Sequence, residues 1–256
     1  MASSAALPCV LPRTHARRLR DVYRSAGWPL QDAIEVDLLA AALIERVRGE
    51  HGHETLRLTD AGIAALAGSL ERNRAAFDAH EALVGAVAVQ MQHAGRVVFT
   101  GLSLRVQVAV EPEAEDANND APAQRWVLAK PDVFSLRHTS KEAFLAPAVH
   151  EVKVKRADVL GELKRPAKRA AYLGMCSQAW FVLGRDAKGR EIADASELPL
   201  EFGVLQLARS TVEGAAPRLE LVRPAPQRPR TLPFAVWLAL ARATPWPRAE
   251  SGQQRL

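Results

Sequence analysis

Apolar positions recur at helical spacing through the first third of the chain. In residues 14–28 they place Leu19, Val22 and Tyr23 on one stripe of a basic segment. Pro29 then restarts the chain, and the next apolar positions again follow a helical period. The pattern predicts a short helix over 14–28, a second helix over 29–48, a turn-flanked extended segment over 49–59 and a third helix over 60–74.

The pattern changes after residue 74 and predicts a larger α/β unit. Residues 75–92 form an amphipathic helical pattern, and the segments that follow alternate or run apolar in the manner of strands. The predicted elements are strands over 96–110, 125–136 and 143–155, a helix over 157–176 and a buried strand over 178–184. Residues 202–210 and 217–225 predict a strand pair that extends the sheet, and 232–243 predict a closing helix.

These elements predict a mixed central sheet flanked by helices, preceded by a small α+β module. The expected divisions are a flexible N-terminus over 1–13, the small module over 14–74, the larger domain over 75–242 and a flexible tail over 243–256. The acid-rich segment 111–120 is expected to be a solvated loop.

Composition narrows the class of protein. The chain has 256 residues, ordinary hydrophobic content and a formal net charge of +5, which suits an anionic partner such as nucleic acid. Its two cysteines, Cys9 and Cys176, fit neither a disulfide framework nor a structural zinc site. The sequence has no secretory signal pattern and no apolar run long enough to span a membrane, so a cytoplasmic protein without a membrane partner is expected.

The order of elements in residues 14–74 is that of a winged helix. The segment 54–66, in which an extended run ends at Thr59 and Asp60 before a helix, resembles the end of many bacterial winged helices. The alternative is a helical bundle used for dimerisation, because the stretch 40–47 is strongly apolar. His51 and His53 flank a glycine in the expected turn and are interpreted as part of a solvated wing.

Charged residues on predicted strands carry the candidate chemistry. Alternation places Glu151 and Lys153 on one face of a strand whose other face is apolar. Pro131 favours a bend that would aim Asp132 sideways. Two carboxylates from Asp132 and Glu151, with the backbone carbonyl of Val152, form the hard oxygen set that Mg²⁺ or Mn²⁺ prefers.

Pro131-Asp132, followed nineteen residues later by Glu151-Val152-Lys153, resembles the PD-(D/E)XK signature. The predicted element order is similar to the αβββαβ core of that superfamily, whose members are mostly DNA nucleases. The resemblance implies a restriction-endonuclease-like fold and metal-dependent hydrolysis of phosphodiester bonds in DNA repair, processing or defence. Asp132, Glu151 and Lys153 would be the catalytic residues.

Residues 150–184 also resemble, more loosely, the bacterial MmcB-type DNA-repair nuclease-like proteins. Lys155 and Pro166 depart from that pattern, and the spacing from lysine to tyrosine is longer.

Further residues are candidates for the same site. The superfamily often adds an acidic residue from its first helix, and Glu81 is the position that could supply it. Tyr172 is interpreted as a packing residue, and Pro166 must either kink the expected helix or begin a second one. The candidate phosphate contacts are basic residues on or beside that helix, namely Lys155, Arg156, Lys164, Arg165, Lys168 and Arg169.

Two other functions remain open at this point. The chain could be a DNA-binding or regulatory protein that has a nuclease-like fold without catalytic turnover. It could also be a transcription regulator in which the winged helix carries the function and the larger domain senses a ligand. A homodimer would suit double-strand scission, whereas a monomer would suit nicking.

Overall fold

A computed structural model describes residues 11–25, 27–109, 124–209 and 217–247. The chain divides into two compact units, Met1–Phe77 and Asp78–Leu256. The expected loop 111–120 lies outside the described residues, as does most of the expected flexible N-terminus, although Arg13 already belongs to the first helix.

The first unit is a small α+β module. Its elements are α1 (Arg13–Arg24), α2 (Ala33–Ala40), β1 (Ile44–Arg48), β2 (Glu54–Leu58) and the beginning of α3 (Asp60–His93). The strands pair antiparallel, from Ile44 opposite Leu58 to Arg48 opposite Glu54. The apolar faces of these elements form one core, whose buried members are Leu19, Val22, Leu38, Ile44 and Leu56.

Three expectations for this region are wrong. The helix expected over 29–48 ends at Ala40, and its last residues form β1 instead. Ala42 has a positive φ of 53°, which stops the helix, and pairing with β2 then outweighs the helical propensity of residues 44–48. Tyr23 is exposed and does not join the buried stripe of α1. The helices expected over 60–74 and 75–92 form one continuous helix, α3.

The second unit is built on a mixed six-stranded sheet, as the predicted α/β class requires. Its strands are β3 (Arg96–Thr100), β6 (Val133–Arg137), β7 (Ala148–Lys153), β8 (Gln178–Leu183), β9 (Phe202–Leu207) and β10 (Leu219–Arg223). They lie in the order β10-β9-β8-β7-β6-β3, with β7, β8 and β9 parallel and the remaining neighbours antiparallel.

Helices cover both faces of this sheet because strand alternation sends apolar side chains both ways. One face packs against α3, through a cluster that includes Val84, Val87 and Val152. The other face packs against α5 (Pro166–Met175) and α6 (Phe234–Arg242), with α4 (Arg156–Leu163) nearby. The expected strand pair over 202–225 and the closing helix are confirmed as β9, β10 and α6.

The long strands expected over 96–110 and 125–136 are each broken in two. Their outer parts, β4 (Leu104–Ala109) and β5 (Gln124–Ala129), pair with one another in a separate antiparallel ribbon. Thr100 lies opposite Val133 in the sheet, and Leu104 lies opposite Ala129 in the ribbon. Residues 101–103 and 130–132 therefore form a bend where the paired strands leave the central sheet.

Pro166 begins a second helix rather than kinking one. The helix expected over 157–176 is divided into α4 and α5, and Pro166 occupies the first turn of α5, where no N–H is required of it. The tail expected to be flexible from residue 243 is in part packed. Trp246 donates its backbone N–H to the carbonyl of Val98 at 2.7 Å. Among the described residues, no helix is long and apolar enough to cross a membrane.

Candidate active site

Asp132 lies where the central sheet opens between β6 and β7. These strands pair from Ser135 and Ala148 as far as Val133 and His150, beyond which the edge of β7 faces the bend. Oδ2 of Asp132 accepts the backbone N–H of Val152 at 2.7 Å. Because the N–H and C=O of one residue in an extended strand point to the same edge, the carbonyl of Val152 faces Asp132 as well.

Glu151 and Lys153 share one face of β7 and are both buried. The Lys153 ammonium donates to Oε1 of Glu151. The same oxygen accepts from Nζ of Lys168 at 2.7 Å, and Oε2 accepts from the hydroxyl of Tyr172 at 2.7 Å. The strand alternation thus delivers the carboxylate and the amine to one point, where α5 adds two further groups.

Glu162 of α4 completes a cluster of buried charges. Its Oε2 accepts from Nζ of Lys168 at 2.8 Å and lies 3.5 Å from Nζ of Lys153. Two carboxylates therefore face two ammonium groups with little access to water. We call Glu151, Lys153, Glu162, Lys168 and Tyr172 the charge network.

Three groups of the charge network, Glu151, Lys168 and Tyr172, have pKa values shifted from their ordinary values. Burial raises the pKa of the Glu151 carboxyl, whereas the ammonium groups of Lys153 and Lys168 lower it. The lysines have the larger combined effect, so the pKa of Glu151 lies below its ordinary value. Burial lowers the pKa of Lys168, and the carboxylates of Glu151 and Glu162 reverse this, so that its net pKa is raised. Burial and the Glu151 carboxylate raise the pKa of Tyr172, so that its hydroxyl stays protonated and donates.

A pocket of about 270 Å³ opens at the bend, on the side of Asp132. Its walls come from α3, from the end of β3 and from both sides of the bend, and include His80, Glu81, Thr100, Lys130 and Asp132. Asp132 therefore lines the pocket, whereas the Glu151 side chain is buried within the charge network.

The residue of α3 that meets Asp132 is His80 rather than Glu81. Nε2 of His80 lies 3.4 Å from Oδ1 of Asp132, and Nδ1 lies 3.1 Å from Oε1 of Glu81. The hydrogen bond to Asp132 raises the pKa of His80 above its ordinary value, against the opposing effect of burial. The imidazole of His80 thus lies between the carboxylates of Glu81 and Asp132. The Glu81 side chain itself is largely exposed.

The carboxylate oxygens of Asp132 and Glu151 are of the type that a hard divalent cation prefers. Each carboxylate oxygen has two lone pairs. Within the described ranges, Oδ1 of Asp132 is contacted by Nε2 of His80 at 3.4 Å, and Oε2 of Glu151 accepts from Tyr172. In the described part of the chain no group of three or more His, Cys, Asp or Glu side chains could hold a metal ion. A cation here would therefore depend on two carboxylates, the Val152 carbonyl and water.

The basic residues predicted to contact phosphate divide into two groups. Three have structural partners: Lys168 in the charge network, Arg156 paired with Glu197 at 2.8 Å, and Arg169, which donates to the carbonyls of Glu162 and Leu163 at the end of α4. Lys155, Lys164 and Arg165 are exposed, and none of them has an ion-pair partner within the described ranges.

His80, Glu162 and Tyr172 were not predicted as site residues. Tyr172 was interpreted as a packing residue, and it is fully buried, but its hydroxyl bridges Glu151 and the carbonyl of Lys130. A buried tyrosine hydroxyl needs a partner, and that need was the available signal. Glu162 and Lys168 come together because the chain turns between α4 and α5, which no helical periodicity indicates.

Comparisons with known proteins place the chain in no family. No protein-family model matches it, and no curated protein matches it. A solved structure of a protein of unknown function from Silicibacter pomeroyi is similar over 64% of this chain and 83% of that one, with 20% sequence identity and a TM-score of 0.39.

Proposed function

We propose that this chain is a metal-dependent DNA endonuclease of the PD-(D/E)XK class. The observation that carries the proposal is the hydrogen bond between Asp132 and the backbone N–H of Val152. It brings the carboxylate from one half of the signature against the strand that presents Glu151 and Lys153 in the other half. The site would bind Mg²⁺ or Mn²⁺ through Asp132, Glu151 and the Val152 carbonyl.

The element order supports the proposal. Along the second unit, α3 is followed by β3, β6 and β7 of the central sheet, then by α4 and α5, and then by β8. This is an αβββαβ order once the ribbon β4–β5 is treated as an insertion between the first two strands. The first unit has two helices, a hairpin and a third helix, and we propose that this winged-helix-like unit adds affinity for DNA.

The chain's own groups have separate tasks in this proposal. A bound divalent cation would polarise the phosphate and would lower the pKa of a water molecule. Lys153 lies beside Glu151 and would offset negative charge that develops on the phosphate. Tyr172 and Lys168 fix the orientation of the Glu151 carboxylate, and His80 fixes that of Asp132. Lys155, Lys164 and Arg165 are exposed cations available to the phosphate backbone.

A second function is favoured by one specific observation. The carboxylates of Glu151 and Glu162 are already balanced by Lys153 and Lys168. A neutral buried network gives a divalent cation less electrostatic reason to bind than unpaired carboxylates would. The alternative is a DNA-binding or regulatory protein that keeps the fold of a nuclease and does not cut.

Purified protein incubated with supercoiled, linear, single-stranded and branched DNA separates the two functions. Each reaction is run with Mg²⁺, with Mn²⁺ and with chelator, beside the variants Asp132→Asn and Lys153→Met. The matched controls are Asp158→Asn and Lys188→Met, since both residues are exposed, Asp158 on α4 and Lys188 in the segment after β8.

We expect metal-dependent cutting that falls roughly 100-fold or more in the two site variants and less than about threefold in the controls. Calorimetric titration with Mn²⁺ gives a readout independent of turnover, and Asp132→Asn should weaken binding. Intact DNA under every condition, together with no measurable Mn²⁺ binding and retained DNA binding, would establish the non-catalytic function instead.

A further inference from the structure

The ribbon β4–β5 has one buried face and one open face. Alternation sends Leu104, Val106 and Ala129 into the core that packs on α5 and α6. The side chains on the opposite face of β5 are Trp126 and Leu128, which are 53% and 56% exposed. Register places Gln107 directly across from Trp126 and Arg105 directly across from Leu128.

The bend begins directly after β5. Lys130 is two residues beyond Leu128, is exposed, and lines the pocket that contains Asp132. We call Arg105, Gln107, Trp126, Leu128 and Lys130 the ribbon face. It combines a large exposed aromatic ring, an apolar neighbour and two cations, and none of its five side chains is acidic.

This composition selects one chemical class of ligand. An exposed indole offers a flat surface on which any base can stack, and neighbouring cations can contact the phosphates on either side of that base. Arg105 lies across from Leu128 and diagonal to Trp126. The Cβ atoms of Arg105 and Trp126 are therefore within about 8 Å of one another, which lets the guanidinium approach the indole ring. A paired duplex hides the faces of its bases in the stack, so an unpaired strand is the form that fits.

The location of the ribbon face favours a strand over a protein partner. Trp126 is six residues from Asp132, and an extended chain covers that separation in about 20 Å at most. A strand lying along the face toward the bend would pass Lys130 and then meet the pocket. Neither Arg105 nor Lys130 makes an ion pair with any residue that the structure describes, so both charges are available to an anionic ligand.

We propose that the ribbon face binds unpaired nucleic acid, with Trp126 stacking on a base and Arg105 and Lys130 contacting phosphates. The proposal rests on the proposed function only in naming that strand as the substrate which the ribbon delivers to Asp132. The substrate class is then single-stranded DNA, or duplex DNA with an unpaired end, flap or gap.

Equilibrium binding tests this proposal without cleavage. The full chain is titrated into fluorescein-labelled oligo(dT) and into a blunt duplex of the same length, with chelator present, and anisotropy is followed. Trp126→Ala should weaken oligo(dT) binding roughly tenfold or more, whereas Trp126→Phe should retain most of the affinity because it keeps an aromatic face. Trp237→Ala is the matched control, since Trp237 is a partly exposed tryptophan on α6.

The contributions of Arg105 and Lys130 are tested by the salt dependence of binding. Arg105→Gln and Lys130→Gln should each reduce the slope of log affinity against log salt by roughly 0.7, as expected for one lost phosphate contact on a single strand. Far-ultraviolet circular dichroism and the melting temperature verify that every variant is folded. Unchanged oligo(dT) affinity in folded Trp126→Ala would overturn the proposal, as would loss of self-association in that variant with DNA binding intact.

Failure of the two proposals can be told apart. Binding is measured with chelator present, so the oligo(dT) affinity of Trp126→Ala is read independently of any cutting. If no metal-dependent cutting is found but Trp126→Ala still loses strand binding, the ribbon proposal stands without the nuclease. If cutting is found and Trp126→Ala neither binds nor cuts differently from the parent, only the ribbon proposal is overturned.

Discussion

Removing the charge of Lys168 tests whether the charge network is balanced as described. Lys168→Met keeps most of the aliphatic side chain and deletes the ammonium group that contacts Glu151 at 2.7 Å and Glu162 at 2.8 Å. Lys153 then remains as the one lysine of the network facing two buried carboxylates. One negative charge is left without compensation in a site that water barely reaches.

The expected cost follows from the burial of the groups left behind. Breaking a buried pair by removing one partner costs roughly 3–5 kcal/mol, because the remaining charge is neither solvated nor paired. The side chains of Glu151 and Glu162 are 4% exposed, whereas that of Lys168 is 21% exposed, so some water can replace its ammonium. We therefore expect the free energy of unfolding to fall by about 3 kcal/mol, at the lower end of that range.

The loss should depend on pH in a defined direction. The pKa of Glu151 is lowered in the folded state, so its contribution to stability is present above the ordinary value of 4.5 and is lost as pH falls. The pKa of Lys168 is raised, so its contribution is present below the ordinary value of 10.5. The difference between parent and variant should be largest between these values and should shrink as the pH falls through 4.5.

Urea denaturation at pH 7 and at about pH 3.5 measures both quantities, since the contribution of Glu151 is lost below 4.5. Lys164→Met is the control, because Lys164 is exposed at the end of α4 and should change stability by less than about 0.5 kcal/mol. The double variant Lys168→Met with Glu162→Gln should recover part of the loss, since it removes the excess carboxylate. A Lys168→Met protein within about 1 kcal/mol of the parent at pH 7, with no smaller difference at about pH 3.5, would refute the balanced network.

Two further predictions concern other buried charges. Burial and the neighbouring Arg96 lower the pKa of His150 to about 3, so the unfolded state takes up more protons below pH 6.5 and stability falls with pH. His150→Leu should remove about 2 kcal/mol of the loss between pH 7 and pH 5, and an unchanged slope in urea titrations would contradict this. Glu35 in the first unit pairs with Arg18 and accepts the N–H groups of Leu30 and Gln31. Glu35→Gln should destabilise that unit by about 3 kcal/mol, read from amide exchange of residues 27–58 against an exposed Glu45→Gln control.

Local pattern was sufficient to predict the sheet residues that carry charge. Alternation along 150–154 predicted one shared face for Glu151 and Lys153, and the structure has these two side chains in contact. The apolar runs around them predicted the central strands. A strand that is buried on both faces contains few polar residues, except where a hydrogen-bond or ion-pair partner is present. The α/β class followed from the same runs.

Pattern was insufficient wherever distant pairing decided the structure. Residues 44–48 have a composition that suits a helix, yet they form β1 because β2 offers a ladder and the core offers a place for Ile44. The division of the two long strands into sheet and ribbon cannot be predicted from the sequence either, since the pattern of both halves is that of a strand. The three-residue breaks at 101–103 and 130–132 are recognised as one bend only in the structure, where they lie opposite one another.

The break between sheet and ribbon also decides from which side the site can be reached. The side chain of Asp132 is 21% exposed and lines the pocket, whereas that of Glu151 is 4% exposed and is enclosed by Lys153, Lys168 and Tyr172. A cation entering through the pocket would meet Asp132 first and would gain Glu151 only by competing with hydrogen bonds already formed. Because the lysines of the charge network hold that carboxylate ionised, the competition is between cations for one charged acceptor and requires no proton to be removed first.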